Sequence, residues 1–108
     1  MKKEYKDIFK FALKSRVFQL KINKLIKQGK FKLPIHLAFG HEFVSSLVKI
    51  NFKKKDRLLL THRNIHFSSI FSKDPLKKYL KFSNKNIKLY KTEGSMNYVD
   101  KDTNIIYT

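Results

Sequence analysis

The chain has no cysteine and no tryptophan, and only 3 glycines and 2 prolines in 108 residues. Without cysteine there is no disulfide framework, no thiolate metal site and no thiol nucleophile. No apolar run approaches the ~20 residues that a membrane-spanning helix needs. The opening stretch MKKEYKDIF mixes acids with lysines and leads into no uninterrupted apolar segment, so it does not read as a signal peptide. A cytoplasmic location is the default expectation. A Gly-rich phosphate loop, a catalytic triad and a paired-carboxylate site are also missing. Four histidines, His36, His41, His62 and His66, could suggest zinc, but His62 and His66 lie in a mixed strand-to-loop region where no cysteine or nearby carboxylate completes a ligand set.

Acidic residues are scarce too, with 8 Asp+Glu against 25 Lys+Arg and a formal net charge of +17. Arginine is the scarcer base: 22 of the 25 are lysine, and only Arg16, Arg57 and Arg63 are arginine. Seven asparagines and many isoleucines accompany them, the profile that AT-rich codons produce. A nucleic-acid interface draws more on arginine, whose planar fork matches phosphates and guanine edges. The charge therefore reads as a solvated surface that binds polyanions without sequence preference. Hydrophobic residues make up 42%, enough for the core of one small domain. A domain of this size buries roughly two thirds of the surface its unfolded chain exposes.

Along the chain, Tyr5, Ile8, Phe9, Ala12, Leu13, Val17 and Leu20 recur at steps of three and four. That spacing predicts a helix with these residues facing a core, with Leu25 and Ile26 prolonging it and Gly29 as its stop. Pro34 and Gly40 break the segment FKLPIHLAFGHEF. A second helical pattern runs from Glu42 to Ile50. The run KKKD, residues 53–56, marks an exposed turn. Leu58, Leu59 and Leu60 read as a short buried strand. Asp74-Pro75 opens another helix, with Leu76, Tyr79, Leu80 and Phe82 as its inner face and Ser83-Asn84 as its end. Turns are expected at Glu93-Gly94-Ser95 and around Asp100-Lys101-Asp102, and Ile105-Ile106-Tyr107 reads as the start of a strand. A lone strand leaves its backbone groups unpaired. The expected architecture is therefore the opening part of a larger α/β fold whose sheet is incomplete in this chain, residues 1–108 forming a single partial domain. Such a piece is expected to be partly molten.

Three clusters offer chemistry. His36 lies in irregular backbone near Gly40, where a side chain can face a cleft or simply pack. Thr61-His62-Arg63-Asn64 follows the expected strand, the place where α/β sheets bind ligands. There the Arg63 fork suits phosphate oxygens and His62 adds a donor, though a charged surface loop has the same composition. Glu93-Gly94-Ser95-Met96-Asn97 is a turn whose amides can approach an anion.

In order and spacing these segments resemble the alpha subunit of thiamine-diphosphate-dependent 2-oxo acid dehydrogenases, the pyruvate, branched-chain and acetoin group. Leu13-Lys14-Ser15-Arg16-Val17-Phe18 is similar to that family's opening helix. His36-Leu37-Ala38-Phe39-Gly40-His41-Glu42 resembles its His-Leu-x-x-Gly-Gln-Glu segment. Asp56-Arg57-Leu58-Leu59-Leu60-Thr61-His62-Arg63 resembles its strand ending in Tyr-Arg or His-Arg. Gly94-Ser95-Met96-Asn97 matches part of a Gly-Gly-Ser-Met-His loop. His41 stands in place of Gln, Asn97 in place of His, Glu93 in place of Gly, and Pro34 in place of an aromatic residue.

The resemblance implies a helix-rich N-terminal part of a thiamine-diphosphate-binding fold. It implies that His36 binds the 2-oxo acid or acetoin-like substrate, and that His62 and Arg63 hold the cofactor diphosphate. It implies thiamine diphosphate and magnesium as cofactors, with the magnesium ligands in a Gly-Asp-Gly motif beyond this chain. A beta subunit or beta-like region is the implied partner, and the 108 residues alone are expected to be inactive. No specific nucleic acid and no membrane are expected as partners. Two other readings stand beside it: a small basic helical module that binds nucleic acid, and an inactive truncated fragment.

Overall fold

A computed structural model describes residues 2–31, 34–80, 98–100 and 105–107. Helix α1 spans Lys3–Lys27 and α2 spans Glu42–Asn51. Strand β1, Leu58–Leu60, leads to α3, Ile65–Phe71, and α4, Pro75–Leu80. Strands β2, Tyr98–Asp100, and β3, Ile105–Tyr107, follow. The result is a helix-rich, mixed α/β architecture.

Helix α1 places Glu4 in its first turn and Lys24 and Lys27 in its last, each matched to the partial charge at its end. It stops at Gly29, as its sequence predicts. Gly29 takes φ +73°, which lets its amide reach Ile26 O at 2.9 Å and the Lys30 amide reach Leu25 O at 3.1 Å. The start of α4 is equally local. The Asp74 carboxylate accepts a bond from the Lys77 amide at 3.1 Å, ahead of Pro75 in the first turn. Tyr79 is the buried residue of α4, Leu76 is half-buried and Leu80 is exposed. The turn at 53–56 forms around Asp56, whose carboxylate accepts from the Lys53 amide.

The buried face of α1 differs from the apolar stripe. Ala12, Ser15, Phe18, Gln19 and Ile22 face inward. Of the expected core stripe, Ala12 is buried and Ile8 half-buried, but Tyr5, Phe9, Leu13, Val17 and Leu20 are all exposed, Leu13 by 65%. The reason lies in the neighbours. Ser45 and Ser46 of α2 and Ser68 and Ser69 of α3 are fully buried along with Ser15. Such short side chains let backbones approach closely. Their hydroxyls are satisfied locally: Ser45 and Ser46 each donate to Glu42 O at 2.9 Å, and Ser69 donates to His66 O at 3.0 Å. A seam of small, hydrogen-bonded residues thus takes the position that a tally of apolar side chains assigns to leucine and phenylalanine.

Two apolar cores flank this seam. One joins Phe18, Ile22, Ala38, Ile65 and Tyr79; the other joins Leu60, Ile70, Phe71 and Ile105. Edge-to-face ring pairs, Phe18–Tyr79 at 5.6 Å and Phe52–Phe71 at 5.2 Å, belong to these layers.

The expectation of a lone strand is corrected. Strand β1 pairs in parallel with β3, Leu58 opposite Ile105, and β3 pairs antiparallel with β2, giving the order β1-β3-β2. The backbone groups of Leu58–Leu60 find their partners far along the chain, which local reading does not reveal. The premise for a molten piece, a strand with no partner, therefore falls. Within β1, Leu60 is buried and Leu59 is exposed, so the strand is covered on one face. The expected turns at 93–95 and 101–102, Phe82 and the end at Ser83-Asn84 lie outside the described residues. No helix among the described residues is long and apolar enough to cross a membrane.

Candidate anion-binding site

The site begins with a buried polar hub. Gln19 is fully buried in α1, and its carbonyl oxygen accepts a bond from the Ala38 amide at 2.7 Å. Its amide nitrogen lies 3.4 Å from Glu42 Oε1 and 3.4 Å from Ser15 Oγ. Glu42, also buried, opens α2. Its Oε1 accepts from Arg16 Nε at 2.5 Å and its Oε2 from the Gly40 amide at 2.8 Å. Burial pushes the Glu42 carboxyl up, but the Arg16 guanidinium and the amides of Glu42 and Gly40 outweigh it, and its pKa lies below the ordinary carboxylate value. Gly40 turns the backbone at φ +94°, and the His41 amide closes the turn on Ala38 O at 3.1 Å. Gln19 and Glu42 thus pin the loop that carries His36 at its Ala38 and Gly40 amides.

A second anchor fixes the end of β1. Asn64 is fully buried; its amide donates to Thr61 O at 2.7 Å, and its Oδ1 lies 3.4 Å from both Ser68 Oγ and Tyr79 Oη. This shapes the turn that presents His62 and Arg63, both exposed. The Arg63 guanidinium donates to Leu37 O, next to His36. The His36 and His62 rings meet edge to face, with centroids 4.9 Å apart.

Two separate clusters of the sequence therefore form one. His36, His62 and Arg63 converge, with the remaining Arg63 N–H groups left over after its bond to Leu37. Among the described residues no carboxylate pairs with Arg63, and the single ion pair is Arg16–Glu42. A half-buried histidine, an exposed histidine and an exposed guanidinium make a donor-rich patch whose charge suits an anion. The third expected cluster, Glu93-Gly94-Ser95-Met96-Asn97, lies outside the described residues. Among the described residues no group of three or more His, Asp or Glu is placed to hold a metal ion.

The network of Arg16, Gln19, Asn64 and the buried serines carries roles that the sequence reading left unassigned. Their signal was present in α1, where Ser15 and Gln19 stand one turn apart between the buried Ala12 and Ile22. A polar pair at that spacing on an inward face marks a satisfied internal network.

His66 lies just behind the site. It is buried, its ring is 5.8 Å from that of His41, and its Nδ1 has no hydrogen-bond partner. Burial first, then the nearby His41, lowers its pKa from 6.5 to about 4, with Arg63 adding to the shift and Glu42 opposing it. The unfolded chain therefore binds a proton at His66 between pH 6.5 and about 4 that the folded chain does not. Stability is full above 6.5 and declines as pH falls through this window. Urea midpoints measured across it are expected to drop with pH, and His66→Gln is expected to flatten the slope. A midpoint independent of pH in both proteins would refute this account of His66.

No family model matches the chain, and no curated protein or solved structure matches it.

Proposed function

We propose that the chain is an alpha-subunit part of a thiamine-diphosphate-dependent oxidoreductase acting on a 2-oxo acid or acetoin, and that His36, His62 and Arg63 hold the anionic end of cofactor or substrate. The observation that carries the reading is the convergence of His36 with His62 and Arg63, from segments that resemble two separate motifs of one family. The donor set fits a diphosphate: it is cationic, accessible and, among the described residues, unopposed by a carboxylate in contact. It does not fit a metal ion, and no role for magnesium is assigned to these residues. Thiamine diphosphate, when bound, supplies a ring that accepts the electron pair left by decarboxylation.

The chain's own residues then have defined tasks. Arg63 contributes a fixed charge whose orientation is set by Leu37 O. His62 adds a donor next to it. His36, held by the loop that Gln19 and Glu42 organise, orients the substrate carboxylate. A nucleic-acid reading draws on the net charge of +17, but it gives no account of this convergence.

Calorimetric titration of thiamine diphosphate into the assembly of this chain with its beta partner tests the reading. Arg63→Ala is expected to raise the dissociation constant ~10–100-fold, the equivalent of ~1.5–3 kcal/mol for a hydrogen bond to a charged group. His36→Ala is expected to act mainly on turnover of the 2-oxo acid. Unchanged affinity in Arg63→Ala, with affinity abolished in His36→Ala, would show that the roles are wrongly assigned.

A further inference from the structure

The largest feature left without a task is the outer face of α1. Tyr5, Phe9, Leu13, Val17 and Leu20 form a continuous apolar line along it, each more than half exposed. Phe43 of α2 extends the line sideways, its ring edge to face with Phe9 at 5.4 Å. Between them lies an open depression of about 230 Å³, lined by Phe9, Ala12, Leu13, Arg16, Glu42 and Phe43. From Tyr5 to Leu20 the line runs about 22 Å along the helix axis, more than four turns. A contiguous apolar patch of this size marks an interaction site.

Charge narrows the occupant. Helical spacing puts Lys6, Lys10, Lys21 and Lys24 beside or at the ends of the line, and all four are exposed. A second copy would bring the same lysines and the same +17 net charge against them. The depression takes a protruding side chain, as a packed helix offers and a smooth lipid surface does not. We propose that the α1 face docks an acidic amphipathic helix of another protein: an apolar stripe into the depression, Asp and Glu flanks onto the lysines. This is helix-in-groove recognition with electrostatic registration. It shares Arg16 and Glu42, which line the depression, with the hub behind the anion-binding site, but not His36, His62 or Arg63.

The test uses the full chain and two synthetic amphipathic helices with the same leucine stripe, one flanked by glutamate and one by lysine. Vesicles of phosphatidylcholine with phosphatidylglycerol form a third arm. The glutamate-flanked peptide is expected to bind, and the lysine-flanked peptide to bind ~10-fold or more weakly, the contrast shrinking with added salt. Leu13→Glu, at a position outside both cores, is expected to weaken the first peptide ~10-fold or more without changing the circular dichroism. Lys10→Glu with Lys21→Glu is expected to narrow the preference, and Arg63→Ala to leave it unchanged. Absent binding, equal binding of the two peptides, or indifference to Leu13→Glu would overturn the proposal. So would tighter binding to the vesicles, or a dimer in sedimentation that Leu13→Glu disperses.

Discussion

Replacing Glu42 with alanine is expected to lower stability by about 2–3 kcal/mol, because it strands two donors and weakens a third at once. The Gly40 amide and the Arg16 guanidinium lose their acceptor, and Gln19 is left with Ser15 Oγ alone for its amide nitrogen. The loss stays below the 3–5 kcal/mol typical of breaking a fully buried pair, since the Arg16 side chain is 46% exposed and takes up water instead. For a domain of about 100 residues this corresponds to a melting temperature lower by roughly 10–20 °C. Glu42→Gln keeps an oxygen for the Gly40 amide and is expected to recover part of it. The same variants report on the site. If Glu42 holds the loop bearing His36, Glu42→Ala weakens anion binding even at temperatures where the protein remains folded. A loss below about 0.5 kcal/mol would place Glu42 among ordinary surface residues and remove the hub from the account.

Ile22→Ala is expected to cost about 2–5 kcal/mol, the transfer energy of the lost methyl groups plus the cavity they leave. Ile22 is fully buried in one core with Phe18, Ala38, Ile65 and Tyr79. Leu13→Ala, on the same helix, is expected to stay within about 0.5 kcal/mol, because Leu13 already faces water. Paired urea titrations decide between the two faces of α1. Equal losses at the two positions, or the larger loss at Leu13, would return the apolar stripe to the interior.

That contrast shows where the sequence was legible. The extents of α1 and α2 and the start of α4 follow from periodicity, from Gly29 and from Asp74-Pro75, all local signals. The inward face of α1 did not follow, because burial there is decided by how closely α2 and α3 approach through their serines. Helix α3, IHFSSIF, went unread for the same reason: half of its buried residues, His66, Ser68 and Ser69, are polar by type. His36, His62 and Arg63 stood out one by one as donors in irregular backbone. Their meeting depends on the Gln19 and Glu42 bonds that set the loop at 36–41. The Gln19 bonds among them span 19 to 23 residues and leave no periodic trace.

The strand order has a consequence for how the molecule assembles in time. Helices α1, α2 and α3 are complete by residue 71, whereas β1 meets its partner only at residues 105–107, Leu58 against Ile105. Closing that long loop carries an entropic toll that the three-residue ladder repays only once it is complete. During synthesis the ladder of Leu58–Leu60 cannot form until Ile105–Tyr107 has been made. The helical layer that aims His62 and Arg63 thus precedes the β1–β3 ladder.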